Sequence, residues 1–334
     1  MSYRSTIARQ PQALADTHEA ARDQLATMDL SAMTGNVIGV TGIGASFAAA
    51  VVGVGELQAN GRRGFAIRAC DMAQGRDLVD SLVGLSHRGR SVETVLAHEK
   101  LPSAKRLAIT NDPTSPLARA SDFHITLNNG SDATPSSTGY TATLLAMGMA
   151  FEKMAGGAGG AFATVPGLAD KTLASAARKM ARLGELFRDR RAIDCVGAGS
   201  SLGTADGASL LIREAARIPA SAYDTRHYLH GPLESMDATT GVVVFGDGRE
   251  IELAHQIEKI GCPVLLVTTD STVADGDLLT VITVAKQDNL IAQGILDILG
   301  PQLFAAELSD AAGLTDTKFR YRMTDTKVPE KAAS

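Results

Sequence analysis

Tryptophan is absent from the 334 residues, and only five tyrosines and nine phenylalanines are present. So few rings argue against a stacking platform for bases or for a polysaccharide chain. No basic tract stands out and the net charge is -5, so nucleic acid is not the expected partner. The three cysteines, Cys70, Cys195 and Cys262, are odd in number and far apart. They build neither a disulfide framework nor a CxxC metal knuckle, and read as small buried thiols of a reduced, cytoplasmic protein. Charge is missing from one long run, VIGVTGIGASFAAAVVGVG (37–55). Glycines 39, 42 and 44 crowd its first half, where each would cost a continuous helix about 1 kcal/mol. A buried strand, a glycine turn and a helix therefore fit better than a membrane span. The opening MSYRSTIARQPQALADTHEA reads as a polar helix and not as a signal peptide.

What the sequence does contain is a repeat. VIGVTGIGASFAAAVVGVGEL and AIDCVGAGSSLGTADGASLLI both read apolar strand, G-x-G-x-S, small-residue helix. Their matching glycines, Gly44 and Gly199, are 199 − 44 = 155 residues apart. Each copy continues into a strand, an unusual loop (SHRGRS or GDGRE), an amphipathic helix and another strand, RLAITNDP or VLLVTTDS. A register kept over three elements marks a duplication. Strands alternating with helices imply an α/β protein with two doubly wound, flavodoxin-like parallel sheets, each flanked by helices. The expected division is an N-terminal helical arm (1–30), a first domain (31–160), a second domain (161–313) and a C-terminal tail (314–334). The boundary between the domains falls in the glycine-rich, uncharged AGGAGGAFATVPG.

In such sheets ligands bind beyond the carboxyl ends of the strands, which places GIGAS, SHRGRS and GAGSS at the mouth. G-x-G-x-x-G is not completed, because position 47 is Phe, and no G-x-x-x-x-G-K-[ST] occurs. Neither a nicotinamide cofactor nor a nucleotide triphosphate is expected, and no cofactor of another kind is indicated. Hydroxyls instead gather in the first half: Ser46, Ser86, Ser91, Thr94, Ser136 and Ser137. Each alone reads as a helix cap. As a set drawn from three loops of one sheet they suit an anion, held by hydroxyls, free N–H groups and helix dipoles. The second half lacks those hydroxyls in its equivalent loop, where FGDGRE replaces LSHRGR, so the anion site is expected in the first. Glu214 on a helix and His230 before Gly231-Pro232 form a candidate acid–base pair. His227 and His230 have H-x-x-H spacing, but Pro232 argues against a helix and no further ligand is near, so no metal is expected.

Taken together, GIGAS, SHRGRSVET, LAITNDPTSPLARASD, SSTGYTATLL, GAGSSLGTADGASLLIRE and LHGPLESMD resemble the sugar isomerase (SIS) family. Within it, they resemble the doubled isomerase unit of glucosamine-6-phosphate synthase and its stand-alone relatives. The resemblance covers the chain from about residue 30 and implies two tandem SIS domains. It also implies a phosphosugar held by Gly44, Ala45 and Ser46, by the loop Ser86, His87, Arg88 to Ser91, and by Ser137. It assigns proton transfer between C1 and C2 to Glu214 and ring opening to His230, which in relatives enters from the partner subunit. A C-terminal lysine reaches the sugar; Lys327 is the nearer candidate and Lys318 competes. A homodimer with shared active sites follows from the same resemblance.

The departures bear on the reaction. No glutaminase segment or N-terminal cysteine is seen, so glutamine-dependent amidotransfer is not expected. Leu211 stands where the synthase has a lysine one turn before the glutamate. Arg88 replaces the second serine of the anion loop and His87 a glutamine, while Glu234 in HGPLE is more like the amine-releasing branch. The leading expectation is an aldose–ketose isomerase of a 6-anionic sugar. Aminosugar-phosphate deaminase or fructosamine-phosphate deglycase comes next, and a non-catalytic sugar-phosphate sensor is the alternative from another class. Arg88 either faces solvent or a neighbouring acid, or adds a bidentate grip, which would suit a phosphate, sulfonate or carboxylate alike.

Overall fold

The charge-free run breaks at its glycines. In the computed structural model, strand β1 (Ile38–Gly42) ends where Gly44 turns with φ +60°, and helix α3 (Ala45–Ala59) begins. Among the described residues no helix is long and apolar enough to cross a membrane. The structure describes residues 2–33, 35–101, 103–157, 160–314, 319–321 and 323–329.

Two helices precede β1, α1 (Tyr3–Ala8) and α2 (Gln10–Thr27), with Pro11 in the first turn of α2 where its missing N–H costs nothing. After α3 come β2 (Gly64–Arg68), α4 (Ala69–Met72), β3 (Ser81–Leu85) and α5 (Val92–Glu99). The first half closes with β4 (Lys105–Thr110), α6 (Pro116–Arg119), β5 (Phe123–Thr126) and α7 (Thr138–Met154). Helices α8 (Val165–Ala177) and α9 (Met180–Phe187) lead into β6 (Ala192–Gly197) and α10 (Ser201–Leu211). Then follow β7 (Ala220–Tyr223), α11 (Thr225–Tyr228), β8 (Thr240–Phe245) and α12 (Arg249–Ile260). Strands β9 (Val264–Thr268) and β10 (Leu279–Thr283) and the long helix α13 (Leu290–Ala311) complete the second half.

The strand orders are β2-β1-β3-β4-β5 and β10-β9-β8-β6-β7, every pair parallel. Reading the second from its other end gives the first, so the repeated sequence builds the same sheet twice. Central strands are buried on both faces, as parallel sheets require, and read as near-continuous apolar runs. The order reverses between β1 and β3 and between β6 and β8. These are the two switch points where a crevice opens.

The halves meet through α3 and α10. Gly203 permits this closeness: a Cβ there would lie 2.6 Å from the Ala48 carbonyl oxygen and 2.7 Å from the Val52 nitrogen. A Cβ on Gly55 would lie 2.7 Å from that of Ser200.

Two expectations need correction. The N-terminal helices are not a polar arm: Tyr3, Ile7, Leu14, Ala21 and Leu25 join the main core, and α2 packs on α7 and α8. Cys195 and Cys262 are buried thiols but Cys70 is exposed, since α4 caps the edge strand β2.

Candidate active site

Strand β3 ends at Leu85, and the chain must turn sharply to start α5. Gly89 makes the turn with φ +60°, and its N–H donates to the Ser86 carbonyl at 2.7 Å. The turn is pinned from outside as well: Asn111 N–H donates to the His87 carbonyl (2.7 Å) and Leu117 N–H to that of Gly89 (3.0 Å). A closed loop results, with Ser86 and Ser91 on the inside.

The C-terminal segment completes it. Lys327 forms an isolated antiparallel bridge with Ser91, and Val328 N–H donates to the Arg90 carbonyl at 2.8 Å. Arg90 returns the contact through Nε and Nη2, which donate to the Val328 carbonyl at 2.9 and 2.7 Å. Lys327 Nζ then donates to Ser91 Oγ at 2.9 Å, and Ser91 Oγ lies 3.2 Å from Ser86 Oγ. Burial pulls the Lys327 pKa below the ordinary lysine value; Glu93 opposes this, while Arg88 and Arg90 pull the same way. An incoming anion would relieve that crowding of positive charge.

These groups face a cavity of about 860 Å³. Gly44, Ala45, Ser46, Ser86, His87, Arg88, Ser91, Glu214 and Lys327, all named from sequence, line it. Arg88 makes no hydrogen bond or ion pair among the described residues. His87 Nε2 pairs with Asn129 Oδ1 at 3.1 Å, and burial lowers the histidine's pKa, which favours a neutral ring. The N-termini of α3 and α5 carry no side-chain cap, although Ser46 and Phe47 N–H donate to the Ile43 and Gly44 carbonyls and Val92 N–H to that of Thr326.

Helix α7 differs, and here the structure departs from expectation. Asp132 accepts from Ser137 N–H (3.0 Å), Gly139 N–H (2.8 Å) and Ser136 Oγ–H (2.7 Å), so a carboxylate of the chain itself occupies that helix N-terminus. Ser137 is fully buried, with its Oγ 2.8 Å from Thr6 Oγ1 and 3.1 Å from Asp132 Oδ1, and it does not reach the cavity. Ser136 lines the wall instead. Sequence pattern did not single out Asp132 or Asn129. The signal that could have found the aspartate is its place four residues before a Ser-Ser-Thr helix start, the spacing of a loop carboxylate folded back as a cap.

Glu214 enters from the other half. It lies in a π-helical turn, Ile212–Ala216, that continues α10 and ends at Arg217 with left-handed φ +60°. Single π turns inside α-helices recur at functional sites because the extra residue re-aims a side chain. Burial raises the Glu214 pKa from 4.5 to about 7, which poises the carboxyl to give or take a proton near neutrality.

The structure does not bring His230 or Glu234 to this cavity. Both are exposed: His230 follows α11, and Glu234 lies in the 3-10 turn Pro232–Ser235. Among the described residues no group of three or more His, Cys, Asp or Glu is placed to hold a metal ion. Lys318 lies outside the described residues.

Comparison with known proteins adds the following. Residues 36–153 match the model of the SIS domain. The isomerizing glutamine–fructose-6-phosphate aminotransferase of Sulfolobus acidocaldarius is 22% identical over 284 residues, a match taking in 81% of this chain and 48% of that protein. The chain thus spans about half the length of that relative, and 35% of its counterpart from Sulfurisphaera tokodaii. The C-terminal domain of glucosamine-fructose-6-phosphate aminotransferase from Francisella tularensis superposes with TM-score 0.80 at 20% identity, covering 93% of this chain and 96% of that one. The tagatose-6-phosphate ketose/aldose isomerase of Escherichia coli superposes with TM-score 0.78 at 19% identity, covering 96% of each. At these identities the superpositions establish the shared fold.

Proposed function

From the premise that this is an SIS-family chain, with the matched domain in its first half and the same fold repeated in its second, we propose that it is an isomerase of a small anionic sugar. One observation carries the reading. A carboxyl poised near neutrality, Glu214, opens into the same cavity as a cradle of hydroxyls and cations, Ser46, Ser86, Arg88, Ser91 and Lys327.

The cradle holds the sugar's terminal anion and so immobilises the far, reacting end. Remote binding of this kind turns an encounter into a positioned, near-unimolecular step. Glu214 takes a proton from one of C1 and C2 and returns it to the other, through an enediol. The proton must also be moved during ring opening, and His230 is the group for it, supplied by a second copy of the chain. A pKa near 7 lets Glu214 act as base in one half-reaction and as acid in the next. When C1 carries an amine, the same transfer gives an imine that water cleaves to the amine and the aldose.

Solvent deuterium incorporation into C1 of fructose 6-phosphate, followed by NMR, tests the reading. Incorporation that disappears in Glu214→Gln is expected. A bound sugar that never exchanges would replace the enzyme with a sensor.

A further inference from the structure

A separate hollow of about 620 Å³ lies at the other end of the first sheet. It opens beside Ile38, where β1 begins, whereas the cavity of the candidate active site opens past the end of that strand, at Ile43 and Gly44. The five residues of β1 set the two on the order of 15 Å apart. Both halves of the chain build the hollow. The end of α3 gives Glu56, the end of α7 gives Phe151, Glu152 and Met154, and Asp288 and Asn289 come just before α13.

One of its acids is fully engaged. Glu56 accepts from Asn60 Nδ2 (2.8 Å), Asn289 Nδ2 (3.0 Å) and Leu290 N–H (2.7 Å), and the last two tie α3 to the start of α13. Asp288 is exposed, so water screens it. Two charged groups of the wall are left over. Glu152 Oε1 accepts from Ala161 N–H at 3.3 Å, but Oε2 is buried with no hydrogen-bond partner. Burial raises the Glu152 pKa, and the Glu56 charge adds to this against the Ala161 hydrogen bond; a positive charge placed beside it would relieve both. Arg62 lines the same hollow, half-buried, and its guanidinium makes no hydrogen bond or ion pair among the described residues. Buried polar atoms are nearly always hydrogen-bonded, so an orphan carboxylate oxygen on the wall of a hollow is a place for a donor.

The two orphans have opposite charge, so a ligand that satisfies both must carry both signs. An ammonium donates to the carboxylate oxygen, and a carboxylate accepts the planar guanidinium fork through two oxygens. The rest of the wall is largely apolar, with Ile38, Leu57, Phe151 and Met154, and a space of this size is ordinary for a small molecule. We propose that the hollow binds a free α-amino acid with an apolar side chain, its ammonium on Glu152, its carboxylate on Arg62 and its side chain against Phe151 and Met154. The site is distinct from the cradle and from Glu214, and it does not depend on the reading of either. Because α3, α7 and the start of α13 meet at its wall, an occupant braces the joint between the halves and raises the stability of the fold by mass action.

Calorimetric titration and thermal unfolding of the full chain with L-leucine, L-methionine and L-phenylalanine test it. At least one should bind and raise Tm. The matching amine without the carboxylate, and the matching acid without the amine, should each bind about tenfold more weakly, the loss expected for one charge-assisted contact. Arg62→Met should bring the advantage over the amine toward one, and Glu152→Gln the advantage over the acid. Both variants should fold, since Arg62 has no partner to lose and glutamine keeps an oxygen for Ala161 N–H. Saturating fructose 6-phosphate should not displace the amino acid. Binding of none of the three, equal binding of the amine or of the acid, displacement by fructose 6-phosphate, or affinities unchanged in both variants would each overturn the proposal.

Discussion

The two switch points are built on the same plan and end in different chemistry. In the first, between β1 and β3, the loop after β3 presents Ser86, Arg88 and Ser91 to an open cavity. In the second, between β6 and β8, the corresponding loop presents Asp247. Its carboxylate accepts from Thr268 Oγ1–H (2.5 Å), Thr269 N–H (2.9 Å) and Thr269 Oγ1–H (2.6 Å). Nearby Asp297 is buried, with a pKa raised to about 7 by burial. One crevice is left open; in the other, carboxyl groups of the chain itself are buried. The helices differ likewise. Adding the repeat distance to Ala59 gives 59 + 155 = 214, so the residue matching Glu214 in the first copy is an alanine. On the proposed reading, the copies took separate roles after duplication, the first gripping and the second reacting.

Glu214→Gln should break the reacting half most severely, lowering turnover about a thousandfold in a steady-state assay. In the native protein, the limb of kcat/KM that reports the base should rise with pH through about 7. The same variant should be more stable at pH 8. Glu214 holds its proton more tightly folded (about 7) than at the ordinary value of 4.5, so its contribution is present below pH 4.5 and is lost as pH rises through 7. Removing the charge recovers up to about 3 kcal/mol, read as a higher Tm.

Gly203→Val attacks the joint between the halves. With the Ala48 carbonyl 2.6 Å from the new Cβ, destabilisation by about 3 kcal/mol is expected in urea unfolding. Arg88→Ser and Asp247→Ser form a matched pair across the two switch points. The first should weaken an anionic sugar about tenfold in a binding titration, without lowering Tm. The second should leave sugar affinity alone and cost about 1 kcal/mol of stability. The smallest contrast is between neighbours. Ser137→Ala should cost about 1 kcal/mol through its buried hydrogen bonds and barely change sugar affinity, whereas Ser136→Ala should leave both nearly unchanged because its partner Asp132 keeps other donors.

Much of this was legible in the sequence because it is local. A strand, a G-x-G-x-S turn and a helix are specified by residues within a dozen positions, and the repeat doubled each signal. The cradle loop was legible for the same reason. Long-range partnerships were not. Nothing near Ser137 announces that Thr6, 131 residues earlier, takes its hydroxyl, and choosing between Ser136 and Ser137 depends on which way the first turn of α7 faces. The π turn at Glu214 leaves apolar periodicity almost untouched, so Arg217's backbone was invisible. Glu234 was named through resemblance and His230 first from its Gly-Pro turn; one copy of the chain leaves both at the surface, away from Glu214.

The bridge between Ser91 and Lys327 joins positions 236 residues apart. On the ribosome, the first sheet and its loops emerge well before the strap that completes the cradle. A nascent first half thus has a cradle that still lacks Lys327, and on the proposed reading an anionic sugar would have less purchase on it. On that reading, a ligand's full stabilising effect by mass action begins only once the Lys327 segment has paired with Ser91. The proposed site is therefore complete only once Glu214 and the Lys327 segment have both been synthesised.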